Sequence, residues 1–286
     1  MTNKKAILKS ISSMKPLSAS ATRLMTIVSD PDHSIAEIVA VVRNDAVLTG
    51  NVLRLVNSAA FGLAVRIETV ERAVSYVGGN MVAGIAMGLC VPHVFNDPLE
   101  GYNSERGALW RHSLRTAIAA REIARTARQG ASPPIAYTAG IMHDIGKGVI
   151  SAHLAGHGEE LEAAAKAHEP PDFLAAEMEI TGTTHCEVGE ALANHWNLPD
   201  PLAQVVTHHH HPANADPEYK SLVYAVHLAD YAVMLGGTGT GTDTLLYGLD
   251  EDYMDHSPVT PAQLEGIIRD SEQELEKAAE ALIGNG

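Results

Sequence analysis

The stretch Gly140-Ile-Met-His-Asp-Ile-Gly-Lys147 closes an apolar run, Ile135 to Ile145. A run that is apolar almost throughout and is stopped by Gly146 reads as a helix whose last turn carries a histidine and an aspartate. Adjacent side chains on a helix diverge by about 100°, so His143 and Asp144 can reach one cleft only if it lies at the helix end. Gly146 supplies such an end. Taken alone, the dipeptide reads first as a polar C-terminal turn, and the decision falls to the rest of the chain.

Outward from this stretch, apolar residues recur at helical rather than alternating spacing, and no series of strands and hairpins is present. Upstream, Ser34-Ile-Ala-Glu37 is a capping box that opens a helix to about Arg43. Asp45 offers an N-cap for Ala46 to Asn57, where Val47, Leu48, Val52 and Leu55 form an apolar stripe and Gly62 closes the unit. Helices are expected at Val70 to Val77, ended by Gly78-Gly79, and at Met81 to Cys90 before Pro92. The segment 95–104 is rich in turn formers and marks a boundary. Beyond it the pattern predicts helices over about 106–128, 134–145, 158–168, 171–179, 184–196, 201–210, 219–235 and 261–283. The expected fold is all-α, with helical lobes at 1–104 and 105–286. Gly236-Gly-Thr-Gly-Thr-Gly-Thr242 reads as a mobile loop, because glycine and threonine bury little surface to offset ordering. It lacks the Lys-Ser/Thr ending of a P-loop.

With 286 residues, 45% of them apolar, the chain can bury a sizeable core. Its formal charge of −15, from 20 Lys+Arg against 35 Asp+Glu, repels nucleic-acid backbone and anionic membrane, so neither is an expected partner. Two cysteines, Cys90 and Cys186, occur without a CxxC motif and fit a reducing compartment. The first residues lack the apolar core of a signal peptide, and no apolar run reaches membrane-spanning length, so a cytoplasmic location is expected. Fifteen histidines include an internal run at 208–211 that belongs to the protein rather than to a tag.

Several of these histidines, and one aspartate, occupy helical positions that need an explanation. On the helix around 219–235, Asp230 lies on the stripe of Val223, Val226 and Val233, and a buried carboxylate is costly unless it is paired or bound to a metal. Taken alone, a salt bridge or hydrogen bond to a neighbouring helix is the plainer answer to that need. His185 follows Thr184 in a second capping box, Thr184-His-Cys-Glu187, at the exposed start of a helix. The helix opening at Asp200-Pro201 runs out into His208 to His211, where a solvated run favoured by the helix dipole is the plainest reading. His112 sits off the polar stripe of Arg111, Arg115, Glu122 and Arg125 and is open to a core role. The conjunction, in the order His, His-Asp, His, His-His, Asp, is what points to metal chemistry. Imidazole and carboxylate suit Fe, Mn, Ni or Zn, and a carboxylate such as Asp144 can bridge two ions that activate water against a phosphoester.

The chain resembles the HD superfamily and, within it, the HDOD group of bacterial signalling domains. Asn44-Asp-Ala-Val-Leu-Thr-Gly-Asn-Val-Leu-Arg-Leu-Val-Asn-Ser-Ala-Ala-Phe-Gly62 is similar to the HDOD signature, with Ala46 in place of the usual proline. The similarity continues through Gly140 to Lys147, Glu179-Ile-Thr-Gly-Thr-Thr-His-Cys-Glu-Val-Gly189, Trp196-Asn-Leu-Pro199, His209-His-His-Pro212 and His227-Leu-Ala-Asp230, so that one HDOD unit covers about 10–235 and a C-terminal helix follows.

The resemblance implies a divalent transition metal site of one or two ions, Fe, Mn, Ni or Zn, held by His112, His143, Asp144, His185, His209, His210 and Asp230. His208 replaces His210 if the register slips by one. It implies Asp144 as the bridging catalytic residue, Lys147 near a phosphate, and phosphohydrolase activity on a phosphoester or nucleotide. The cyclic-dinucleotide phosphodiesterases of the HD-GYP group are related, yet here His211-Pro-Ala-Asn-Ala-Asp-Pro-Glu218 stands where that group has its Gly-Tyr-Pro segment. Ala108 stands where some of its members place an extra metal-binding glutamate, which argues against a third ion. Many HDOD members have lost the metal set, so the resemblance equally implies a non-catalytic output module acting through a signalling protein partner.

Overall fold

A computed structural model describes residues 2–30, 32–57, 66–79, 82–84, 86, 92–127 and 131–283. Gly62, Met81 and Cys90 lie outside them. Helices follow one another as α1 (Thr2–Ser13), α2 (Ala19–Val28), α3 (Ile35–Arg43), α4 (Ala46–Val56), α5 (Val70–Val77) and α6 (Pro92–Asn96). Next come α7 (Ala108–Ala124), α8 (Pro133–Met142), α9 (Lys147–Leu154), α10 (Gly158–Lys166) and α11 (Phe173–Thr181). The chain continues with α12 (His185–His195), α13 (Asp200–His208), α14 (Lys220–Leu235), α15 (Tyr253–His256) and α16 (Pro261–Ile283). Among the described residues there is no strand, only an isolated bridge between Leu99 and Ser104. The all-α reading therefore holds.

The centre of the fold is α7, which packs against α8, α14 and α16. Nearly every residue from Leu109 to Ala120 is buried, the polar His112, Ser113, Arg115 and Thr116 included, because neighbouring helices cover α7 on several sides. Helix α8 is buried along its whole length from Ile135, as its apolar run requires. The two approach closely at Gly140, where an added Cβ would lie 2.6 Å from Ala117 Cα. Helix α1 packs on α9, α11 and α12, with Lys4 Nζ 2.9 Å from Glu187 and His195 Nε2 3.1 Å from the Met14 carbonyl.

Local expectations fare unevenly. The capping box at Ser34 is complete, since Glu37 N–H donates to Ser34 Oγ and Ser34 N–H to the Glu37 carboxylate. At Thr184 only half of one forms: Glu187 N–H donates to Thr184 Oγ1, but the Glu187 carboxylate turns to Thr183 and Lys4. Leu48 and Val52 are buried, whereas Val47 is 71% exposed, so the α4 stripe is narrower than its pattern. Arg115, placed on a polar stripe by its spacing, is 1% exposed. Its guanidinium donates to Gly236 O, Ile268 O and Thr238 Oγ1 and pairs with Glu272, which satisfies the buried charge. The same contacts correct the reading of 236–242 as mobile. Thr240 is buried against Asp243, and Thr242 N–H donates to Tyr102 O, so the threonines order the segment by hydrogen bonding rather than by apolar burial.

The α7–α8 contact predicts that Gly140→Ala destabilises the protein by about 1–3 kcal/mol, because Ala117 backbone cannot move aside. Urea unfolding measures this; an unchanged midpoint would contradict the close packing.

Candidate metal centre

Five segments send side chains to one buried point. Helix α7 supplies His112, and the turn after α8 supplies His143 and Asp144. The first residue of α12 is His185, the residues just after α13 are His209 and His210, and α14 supplies Asp230. All seven are buried. Every metal-ligand candidate from the sequence except His208, the residue in the alternative register, is brought together. His208 is only half-buried and lines an outer cavity with Asp172, Met178 and Thr207.

Asp144 lies at the centre of this arrangement. Its Oδ2 is 3.6 Å from His112 Nε2 and 3.4 Å from His143 Nε2. Its Oδ1 is 3.4 Å from His185 Nε2 and 3.4 Å from His209 Nε2. Asp230 Oδ1 lies 2.9 Å from His112 Nε2 and 3.7 Å from His143 Nε2, and its Oδ2 is 4.0 Å from His210 Nδ1. Neither Asp144 oxygen accepts a well-aligned hydrogen bond among the described residues, although Lys147 Nζ lies 2.8 Å from Oδ2 as an ion pair.

The outward ring nitrogens are fixed. A carbonyl can only accept, so Nδ1 of His112 donates to Thr238 O at 2.9 Å and Nδ1 of His143 to Gly140 O at 2.7 Å. His209 Nδ1 faces Val205 O and Val206 O, and His185 Nδ1 faces the Glu177 carboxylate at 2.9 Å. These contacts leave each Nε2 aimed inward, the arrangement by which outer partners orient metal-binding imidazoles. His210 instead stacks on Tyr247, 3.9 Å between centroids, and its Nε2 has no hydrogen-bond partner among the described residues. By donor type and spacing, His112, His143 and Asp144 form one group able to hold a metal ion, and His185, Cys186, His209 and His210 form another.

Two features depart from the sequence reading, and a third, at Lys147, adds to it. Gly146 is no left-handed helix stop: its φ of −63° is helical, and it joins the α8 end to α9, a helix the pattern left out. A Cβ there would run into the His185 carbonyl, so this glycine is needed for close approach of α12. His185 begins its helix but is 1% exposed, because α9 packs on α12 and Glu177 of α11 bonds to its backbone and ring. Lys147 is buried among protein partners. It is 2% exposed, and its ammonium also reaches Asp243 at 2.6 Å and Thr240 at 3.0 Å.

A model of the HDOD domain matches residues 14–212. The chain belongs to the HDOD family. An uncharacterized protein of Treponema pallidum is 31% identical over 210 residues, covering 72% of this chain; the chain spans only 39% of that relative's length. An HDOD domain protein of unknown function from Geobacter sulfurreducens aligns with a TM-score of 0.63 and 25% identity, over 96% of this chain and 92% of its own. A Shewanella amazonensis protein, named only provisionally as a phosphohydrolase, aligns with a TM-score of 0.66 and 23% identity over 96% and 98%. No described helix of the HDOD chain is long and apolar enough to cross a membrane.

Glu177, Asp243 and His227 were not singled out from the sequence. Glu177 is fully buried in α11, accepts from the His185 backbone N–H at 2.7 Å and from Tyr102 OH at 2.5 Å, and holds the His185 ring. Glu177 carries the same signal as Asp230, a carboxylate on an apolar helix face, beside Phe173, Leu174 and Ala176. His227 is a core histidine: its Nδ1 donates to His209 O and its Nε2 accepts from Asp250 N–H. Asp243 lies in a loop with no periodic signal.

Histidine protons balance the buried carboxylates. Burial pulls the His143 imidazolium down, but Asp144 and then Asp230 more than offset this and push it up to about 10. His185 is disfavoured as a cation by burial and raised well above the ordinary value, chiefly by Glu177. His210 moves the other way, lowered by burial and by the neighbouring His209 and His185. A histidine raised in the folded state contributes stability that is complete below about 6.5 and is lost as pH rises through its folded value. Chelator-treated protein is thus predicted to lose thermal stability between about pH 6.5 and 10. Melting curves in EDTA test this, and a midpoint that rises across that window contradicts the assigned protonation.

Proposed function

We propose that this HDOD protein is a metal-dependent phosphohydrolase of bacterial signalling, acting on a phosphoester or nucleotide. The observation that carries the reading is Asp144, whose two oxygens each face a different pair of imidazole nitrogens at 3.4–3.6 Å. Two ligand atoms each about 2.1 Å from one ion lie about 3.0–3.5 Å apart, so the separations to His143, His185 and His209 have coordination spacing and that to His112 is slightly longer. His112, His143 and Asp230 would hold one ion, His185, His209 and His210 a second, with Asp144 shared. The donors suit Fe, Mn, Ni or Zn. When bound, such ions would lower the pKa of a shared water and polarise a phosphoryl oxygen.

The protein's own groups do the positioning. Glu177 and the Gly140, Thr238 and Val205 carbonyls fix the imidazole rings, so the site is organised before ligand arrives. Asp243 and Thr240 take two of the three ammonium donors of Lys147, which leaves a third near Asp144, whose Oδ2 lies 2.8 Å from Nζ as an ion pair. Once Asp144 serves a metal, that third donor is free to meet a phosphoryl oxygen. A cavity of about 380 Å³ reaches the centre at His210 and Tyr247, walled by His168, Glu169, Asp172 and Asp250. Its size fits a small phosphoester or a mononucleotide, and its acidic rim disfavours a long polyanion.

Metal analysis after reloading with Mn or Fe is expected to give about one to two ions per chain. Hydrolysis of a diester and nucleotide panel should then fall about 100-fold or more in Asp144→Asn. Less than one ion per chain overturns the reading, and metal binding without turnover assigns the site to a non-catalytic interaction module. Glu177→Gln is expected to weaken metal binding about 10–100-fold, read by chelator competition; unchanged affinity would contradict its orienting role.

A further inference from the structure

Cys186 is the residue beside the centre that neither the sequence pattern nor the proposed reaction uses. It follows His185 at the start of α12, and it is 7% exposed. Adjacent helical side chains diverge by about 100°, so two such neighbours share one point only at a helix end. His143-Asp144 does this at the end of α8, and His185-Cys186 repeats it at the start of α12.

The thiol meets the inward nitrogen of His185 and the outward nitrogen of His209. Its polar contacts among the described residues are both to ring nitrogens: Sγ lies 3.6 Å from His185 Nε2 and 4.0 Å from His209 Nδ1. His185 Nε2 and His209 Nε2 are 3.5 Å apart. Tetrahedral zinc, with Zn–N about 2.0–2.1 Å and Zn–S about 2.3 Å, sets nitrogen pairs about 3.4 Å apart and nitrogen–sulfur pairs about 3.6 Å apart. A second observation stands independently of the cysteine. The buried His210 Nε2 has no hydrogen-bond partner among the described residues. One donor atom each from His185, Cys186, His209 and His210 lie within 4.8 Å of one another.

We propose that Cys186 Sγ is a ligand of the ion on the His185, His209 and His210 side, which makes the centre asymmetric: a zinc-preferring half containing a thiolate, and a harder half of His112, His143 and Asp230. This rests on the reading that the histidine and aspartate set binds metal. On coordination the sulfur–hydrogen bond breaks, the proton leaves to solvent, and the electron pair becomes the sulfur–metal bond. A soft thiolate favours zinc over manganese, whereas imidazole and carboxylate leave the other half open to iron or manganese.

Cobalt(II) loading of the full chain tests the assignment, with the near-ultraviolet thiolate-to-cobalt charge-transfer band as readout. The band is expected in the unaltered protein and in Cys90→Ser, and it should vanish in Cys186→Ser while cobalt still binds to the histidine and aspartate ligands. Zinc-edge X-ray absorption should show one sulfur at about 2.3 Å in the unaltered protein alone. Bound cobalt without the band overturns the thiolate ligand and leaves the parent reading standing, as does a band that survives Cys186→Ser. A chain that binds no cobalt or zinc overturns both.

Discussion

A carboxylate buried among four imidazole nitrogens is the constraint on which the rest of this structure depends. Asp144 is 1% exposed, and removing its charge from water costs roughly several kcal/mol unless cations or strong donors surround it. The protein answers with Lys147 on one oxygen and histidines on both. Burial opposes the charge, yet Lys147 and His143 hold the Asp144 carboxyl well below the usual carboxylate range. A group kept anionic at this expense is poised for a cation, either protons shared among imidazoles or metal ions in their place.

Close helix approach is what makes the clustering geometrically feasible. Gly140 lets α8 lie against Ala117 of α7, and His112 and His143 then come within 3.3 Å between their Nε2 atoms. Gly146 does the same for the start of α12, placing His185 opposite. Around this inner set a second ring of contacts holds orientation. Arg115 ties down the segment after α14, whose Thr238 carbonyl receives the His112 proton donor, while Glu177 grips His185 and Tyr102 together. The inward nitrogens of His112, His143, His185 and His209 are thus set by a backbone or carboxylate partner on the far side of each ring.

Much of this was legible in the sequence, for identifiable reasons. Periodicity and caps located α7 to α14 apart from α9, and the order of histidines and aspartates pointed to a common site because few other patterns put such groups on apolar helices. The same pattern carried the resemblance to the HDOD family. What stayed hidden depends on tertiary context. Arg115 has polar spacing but finds carbonyls inside the fold. The glycine–threonine segment 236–242 has loop composition but finds Tyr102, Asp243 and Arg115. Gly146 reads as a stop, yet it serves a helix-to-helix joint where the neighbouring chain leaves no room for a Cβ.

The central claim is that Asp144 is shared between two metal positions. Anomalous diffraction from manganese-loaded crystals, recorded on both sides of the manganese absorption edge, measures it most directly. Two peaks about 3.5–4 Å apart, one on each side of the Asp144 carboxylate, are the expected result. Peaks confined to the protein surface, or none within bonding distance of Asp144, would contradict it.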